Sequence, residues 1–194
     1  MKTETVTPKE KLFRTAARLF FQHGYQAVGV DTIAAESGIS KMTLYRHFPS
    51  KDDLIAAYLH EIDNDFWRYY EQSTQAAGSA REKLLAFFQA LQDYVTSPAC
   101  YGCPFINVAS EYPEPDYPGH QIALAHKQSV RNHFMSLAHE AGAHQPDTLA
   151  DALLLLMDGA YISARMYGES SLNPAAHVAD AAMCLIEAQC SKLV

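Results

Sequence analysis

The sequence predicts an all-α fold of about nine helices, with a three-helix head at the N-terminus and a six-helix body after it. Apolar residues recur at spacings of three and four, and no segment alternates apolar and polar residues as a half-buried strand does. Glycine and proline separate these segments at intervals typical of helices. We place the boundary near Ser50, which gives domains of residues 1–50 and 51–194.

The charge distribution also divides the chain. Residues 1–51 contain eight Lys or Arg and four Asp or Glu, a net charge of +4. The remainder contains seven basic and eighteen acidic residues, a net charge of −11. A cationic head on an anionic body is typical of a protein that binds a polyanion with one end, although such a split can also arise by chance.

The composition indicates a globular protein, since 48% of its 194 residues are apolar and 19% are charged. No apolar run reaches the ~18 residues of a membrane span. The sequence MKTETVTPKEK lacks the apolar stretch of a signal peptide. We therefore expect a cytoplasmic protein without membrane contact, whose four cysteines are mainly reduced.

The first helix is predicted to begin at Thr7-Pro8, because threonine is a good N-cap and proline fits a first turn. Glu10 follows Thr7 by three residues, as a capping box requires. Gly24 ends the helix. Its buried stripe comprises Leu12, Ala16, Leu19 and Phe20.

Residues 29–48, GVDTIAAESGISKMTLYRHF, have the pattern of a helix-turn-helix. A short helix at 31–37 ends at Gly38, where a left-handed backbone favours glycine. Ser40 can cap a second helix at 41–48, whose Leu44 and Phe48 share an inward face. Its other face carries side chains of the kind that contact bases and phosphates in a major groove. The alternative is a three-helix bundle that binds no DNA.

The N-terminal quarter of the chain resembles the TetR family of transcriptional regulators. The matching segments are LFRTAARLFFQHGYQAVGV (12–30), DTIAAESGISKMTLYRHF (31–48) and PSKDDL (49–54). The resemblance implies binding to a double-stranded DNA operator and assigns Tyr45 and Lys51 to the DNA backbone. The implied DNA-binding residues are Thr32, Ser40, Lys41, Met42, Thr43, Tyr45, Arg46, His47 and Lys51.

Six helices are predicted in the body, at about 51–75, 80–96, 104–112, 118–141, 147–167 and 174–191. In the TetR family the last two helices pair with their copies, which implies a homodimer through 147–167 and 174–191. Residues 152–167 are apolar on nearly all sides, as a solvent-facing helix is not. The alternative is that both helices form the core of a monomer.

The resemblance also implies a small-molecule effector in the body, coupled to the head by the sixth helix, CPFINVASEY at 103–112. An aromatic shell with a few polar groups is typical of such cavities, although core packing is the alternative for each residue. The candidates are Phe66, Tyr69, Phe87, Phe88, Tyr94, Cys103, Phe105, Asn107, Asp158, Tyr161, Arg165 and Met166. The charged pair Asp158 and Arg165 is interpreted either as part of a dimer-interface salt bridge or as an anchor for the effector.

Cys100 and Cys103 have zinc-like spacing, but a structural site needs two more ligands, and a buried thiol is the simpler interpretation. We predict no metal and no cofactor. No P-loop, G-x-S-x-G or H-E-x-x-H motif favours an enzyme. The prediction is a repressor that a small apolar or aromatic effector releases from a palindromic operator. The alternative is a DNA-binding regulator with no small-molecule effector, which acts constitutively or through a protein partner.

Overall fold

The computed structural model describes residues 7–190. Within this range the chain forms nine α-helices and one short 3-10 helix, without any β-strand, so the predicted all-α class is confirmed. The helices are α1 Pro8–His23, α2 Val30–Ser37, α3 Lys41–His47, α4 Lys51–Thr74, α5 Ala80–Val95, α6 Pro104–Glu111, α7 Pro118–Glu140, α8 Pro146–Tyr167 and α9 Val178–Cys190. None of these nine helices is long and apolar enough to cross a membrane.

Capping side chains set the start of several helices. The Thr7 hydroxyl accepts the N–H of Glu10 at 3.2 Å, and the Glu10 carboxylate accepts the N–H of Thr7 at 2.8 Å, which confirms the capping box of α1. The Thr7 backbone N–H and the Thr7 hydroxyl both donate to the Glu10 carboxylate and lower its pKa. At α4, the Ser50 hydroxyl accepts the N–H of Asp53 at 3.0 Å and donates to its carboxylate at 2.7 Å.

The helix predicted at 174–191 differs from the observed structure at its start. Residues Pro174–His177 form a 3-10 turn, and α9 begins only at Val178. The side-chain oxygen of Asn173 accepts the N–H of Ala175 at 3.0 Å and so caps this tighter turn. Residue 191 and the ends of the predicted domains, residues 1–6 and 191–194, lie outside the described residues.

The described residues divide into two compact units. The first comprises residues 7–63 and 104–123. It therefore contains the three head helices, the first half of α4, all of α6 and the start of α7. Phe20, Tyr25 and Tyr58 pack together in this unit, with ring centroids 5.4 to 6.1 Å apart. Its fully buried side chains also include Leu12, Ile33, Leu44, Leu54, Ile55, Leu59 and Val108.

The second unit comprises residues 64–103 and 124–190. Its helices α5, α8 and α9 pack against one another. The core they enclose is rich in aromatic rings, since Phe87 lies 5.4 Å from Phe88 and 5.6 Å from both Phe134 and Tyr70 between ring centroids. Helices α4, α5, α7, α8 and α9 all contribute side chains to this core.

Candidate nucleic-acid interface and effector region

The turn between α2 and α3 has the geometry that the sequence predicts. Gly38 ends α2 in the left-handed conformation, with φ 65°, and the N–H of Ile39 returns to the carbonyl of Ala34 at 3.2 Å. Ser40 then caps α3 by accepting the N–H of Thr43 at 3.2 Å. Two short helices joined by so tight a turn form a helix-turn-helix.

The recognition helix α3 has one buried and one exposed face. Leu44 is fully buried and Phe48 nearly so, whereas Met42 is 81% exposed. The predicted DNA-binding side chains all lie on the exposed or half-buried side of this motif. They are Thr32, Ser40, Lys41, Met42, Tyr45 and Arg46, which are exposed, and Thr43, His47 and Lys51, which are half-buried. The hydroxyl of Ser40 is already engaged in the cap, where it also donates to Thr43 at 2.9 Å.

Two lysines near this face have surroundings that shift their pKa. Lys41 forms an ion pair with Asp31 at 2.7 Å, and the hydrogen bond from Lys41 to this carboxylate raises the lysine pKa. Lys51 opens α4, and its burial lowers its pKa against the opposing influence of Asp52 and Glu111. A lysine at a helix N-terminus combines its own charge with the backbone N–H groups that favour anions there.

Glu111, the last residue of α6, bonds directly to the turn that follows α1. Its carboxylate accepts the backbone N–H of Tyr25 at 3.1 Å and that of Gln26 at 2.6 Å. The Gln26 side chain donates back to the Glu111 carbonyl oxygen. At the other end of α6, the Tyr25 hydroxyl donates to the Pro104 carbonyl at 3.0 Å. We name these four bonds the α6 clamp. Sequence reasoning did not single out Glu111.

A second set of contacts holds the segment between α6 and α7 to the start of α4. The Tyr117 hydroxyl donates to the Asp52 carboxylate at 2.9 Å. The Tyr117 ring stacks on Tyr112, with centroids 4.2 Å apart and planes at 14°. Burial and the neighbouring Asp52 raise the pKa of Tyr117, which keeps its phenol protonated as a donor. These residues adjoin Lys51 and were also absent from the predicted site.

The predicted effector residues are divided between the two units. Phe105 is buried and Asn107 half-buried in the first unit. In the second, Tyr94 lies 6.3 Å from Tyr69 and 6.2 Å from Tyr161 between ring centroids. The others in the second unit are Phe66, Phe87, Phe88, Cys103, Asp158, Arg165 and Met166. Of these, Met166 lies at the surface, 73% exposed.

Burial, with the neighbouring Cys100 and Cys103 as smaller causes, raises the pKa of Tyr94. The same causes raise the pKa of Tyr161. The pKa of the Cys100 thiol is also raised by burial, which disfavours the thiolate that redox or metal chemistry requires. Among the residues that the structure describes, no group of His, Cys, Asp and Glu side chains has the arrangement of a metal site.

Asp158 and Arg165 each have a partner in the same chain. Asp158 forms a largely buried ion pair with Lys127 of α7. Arg165 donates from Nη1 to the Tyr101 carbonyl at 2.8 Å. Neither partner was foreseen, because Lys127 and Tyr101 lie 31 and 64 residues away along the chain.

Comparisons with known proteins agree with this architecture. A sequence model of the family described as bacterial regulatory proteins, tetR family, matches residues 12–58. The structure is similar to SCO4454, a TetR-family regulator from Streptomyces coelicolor, with TM-score 0.89, 29% identity and coverage of 95% of this chain and 96% of that one. It is also similar to a putative TetR regulator, sav143, from Streptomyces avermitilis, with TM-score 0.83, 30% identity and coverage of 94% and 98%.

The repressor KstR2 of Mycolicibacterium smegmatis is 24% identical over 169 residues, which are 85% of this chain and 82% of that protein. These similar proteins are transcriptional regulators and not enzymes. The helix-turn-helix geometry and the similarity over nearly the whole length of solved relatives therefore place this chain in the TetR family of DNA-binding transcriptional regulators.

Proposed function

We propose that this protein is a homodimeric repressor that binds a palindromic operator and is released by a small apolar or aromatic effector. The α6 clamp is the observation that carries the release step, since it ties α6 to the turn between the first two helices of the DNA-binding head. A displacement of α6 therefore shifts the head as well. The similarity to a named repressor, KstR2, supports repression in preference to activation.

On the DNA side, the exposed face of α3 supplies the contacts. Arg46 can make a bidentate contact with guanine, worth about 1–3 kcal/mol of discrimination. Tyr45 and Lys51 contact the phosphate backbone. Such contacts determine affinity and its salt dependence more than sequence preference. Two copies of so short a helix are needed for a specific site, so the operator is expected to repeat with the symmetry of the dimer.

Exposed apolar side chains on α8 and α9 support the dimer. On α8, Leu155 is 72% exposed, and Ile162 and Met166 follow it by seven and eleven residues, which keeps all three on one side of the helix. On α9, Met183 and Leu185 are exposed as well. A second copy of this chain would remove such exposed apolar side chains from water.

The effector is proposed to bind in the second unit, whose core and half-buried surroundings are aromatic. It acts only if it binds better when the two heads are displaced from the 34–36 Å spacing of successive major grooves, because equal affinity for both forms shifts nothing. The backbone itself connects this unit to the α6 clamp. Gly102 packs beside the Arg165 side chain in the second unit. Two residues later Pro104 begins α6, and the Pro104 carbonyl accepts the hydrogen bond from the Tyr25 hydroxyl.

The test begins with selection of operators from random-sequence DNA by the purified full chain. We expect a near-palindromic site with half-sites about one helical turn apart, or a multiple of this distance. Selection with Arg46→Ala should relax the choice at one symmetric base-pair position. If every position keeps its preference and only affinity falls, Arg46 contacts phosphate instead.

A reporter gene placed behind the selected site tests control. Expression of the protein should lower reporter output, and a small aromatic compound should restore it. A rise in output on expression would contradict repression. If no compound from a broad panel relieves repression, the alternative of a regulator without a small-molecule effector is favoured.

A further inference from the structure

Two buried polar atoms of the second unit lack a hydrogen-bond partner among the described residues. They are the hydroxyl of Tyr70, in α4, and Nε2 of His133, in α7. The two rings touch edge to face, with centroids 4.5 Å apart and planes at 85°. The Ser73 and Thr74 hydroxyls, one turn further along α4, donate to the Tyr70 carbonyl at 2.9 and 2.8 Å. Burial raises the pKa of the Tyr70 phenol and Thr74 lowers it by less, so the Thr74 side chain lies near this phenol. Buried polar groups are rarely left unpaired, so two such atoms on adjoining rings point to a missing partner.

The surroundings of this pair are aromatic. Trp67 lies 5.3 Å from His133 and 6.0 Å from Tyr70 between ring centroids, and Phe87 of α5 lies 5.6 Å from Tyr70. Phe66 adjoins both Trp67 and Phe87, at 5.1 and 5.9 Å. Trp67 and His133 are only half-buried, so the group reaches the surface of the unit. We name these five residues the α4–α7 aromatic cluster.

We propose that the α4–α7 aromatic cluster is the effector site, and that its ligand is a small, uncharged aromatic molecule bearing a hydroxyl group. This inference rests on the proposed function and deepens it. A hydroxyl both donates and accepts, so it completes the bonding of the Tyr70 hydroxyl and of Nε2 in either imidazole tautomer. An aromatic ring in the ligand can make edge-to-face or offset contacts with the aromatic side chains of this cluster.

The preference for an uncharged ligand follows from the state of the imidazole. Burial, with the charge of Lys83 as a smaller cause, lowers the pKa of His133 and favours its neutral form. A neutral imidazole and a phenol supply no counter-charge to a buried anion. Since Lys83 is near enough to affect His133, a carboxylate ligand is included in the test.

The chain offers a selective probe, because Trp67 is its single tryptophan. Indole emission therefore reports on this cluster alone. We would titrate the full-length wild-type protein with 4-ethylphenol, with 4-ethyltoluene, in which a methyl group replaces the hydroxyl, and with 4-ethylbenzoate. We expect a saturable change of Trp67 emission with 4-ethylphenol, and binding weaker by about tenfold or more for the other two compounds.

Variants that keep an aromatic ring but lose its polar atom test whether that atom binds the ligand hydroxyl. Tyr70→Phe and His133→Phe should each weaken 4-ethylphenol binding by about tenfold and leave 4-ethyltoluene binding unchanged. Tyr167→Phe is the matched control, since this side chain is 44% exposed at the end of α8 and lies outside the cluster. Without ligand, Tyr70→Phe should leave the unfolding midpoint equal or higher, because it removes an unpaired group.

Several results would overturn the proposal. One is the absence of any saturable emission change with 4-ethylphenol. Another is equal or tighter binding of 4-ethyltoluene or 4-ethylbenzoate. A lower unfolding midpoint for ligand-free Tyr70→Phe would show that a structural water already satisfies this hydroxyl.

Operator binding is measured separately. Binding of 4-ethylphenol without any change in operator affinity would remove the effector role from this site, whereas failure to select an operator would contradict the proposed function and leave ligand binding intact.

Discussion

The carboxylate of Glu111 occupies the space that a side chain at Gly24 would need. A Cβ at position 24 would lie 2.7 Å from Oε1 of Glu111, which is closer than real Cβ contacts come. Gly24 also has φ 86°, a conformation that other residues rarely adopt. The glycine therefore serves two purposes, since it ends α1 and admits the carboxylate that forms the α6 clamp.

Gly24→Ala should destabilise the protein by about 1–3 kcal/mol, because it adds a steric conflict to the cost of the left-handed backbone. Denaturant unfolding at fixed protein concentration measures this difference. Gly142→Ala is the control, since Gly142 has φ 75° but nothing within 4 Å of its Cβ position. It should cost only the backbone contribution, about 1 kcal/mol. Equal losses in the two variants would show that Glu111 moves aside freely.

Lys51→Ala should weaken binding to all DNA sequences alike. If Lys51 neutralises one phosphate, the slope of log affinity against log salt falls in magnitude by about one unit. Lys83→Ala removes the same charge from the second unit and should leave the slope unchanged. A wild-type slope for Lys51→Ala would remove this residue from the interface.

Leu155→Glu should convert the dimer to a monomer. The side chain is 72% exposed in the isolated chain, and the proposed interface would bury it. A buried charge in each protomer costs several kcal/mol. Sedimentation over a range of concentrations measures the change. Met42→Glu places the same charge at an 81% exposed position in α3 and should remain dimeric. A dimeric Leu155→Glu protein would place the interface elsewhere.

The helices and the recognition motif were predictable because their signals are local. Thr7 with Glu10, Ser40 with Thr43, and Ser50 with Asp53 each form their bonds within three residues. Gly38 likewise ends α2 by its own backbone preference. Such signals are present in any short window of the sequence.

The clamp and the partners of Asp158 and Arg165 were not predictable from the sequence for the opposite reason. Glu111 meets Tyr25 across 86 residues, and no local pattern distinguishes it from a solvent-exposed glutamate at a helix end. The partners of Asp158 and Arg165 lie 31 and 64 residues away along the chain, and no periodic pattern in the sequence links residues so far apart. The unpaired atoms of Tyr70 and His133 are recognisable only when burial and geometry are known.

Operator affinity of Glu111→Gln tests the central claim most directly, since the α6 clamp is what joins α6 to the DNA-binding head. The substitution keeps the size of the side chain but turns an amide N–H₂ towards one of two backbone N–H donors. Loss of a negative charge alone would favour DNA binding. We nevertheless expect operator affinity of the folded dimer to fall about tenfold, or ~1.4 kcal/mol, because the turn before α2 loses one of the two bonds to the carboxylate and is held less firmly. Glu140→Gln, at the exposed end of α7, makes the same charge change and should lose nothing. Wild-type or tighter operator binding by Glu111→Gln would contradict the clamp as the link between α6 and the head.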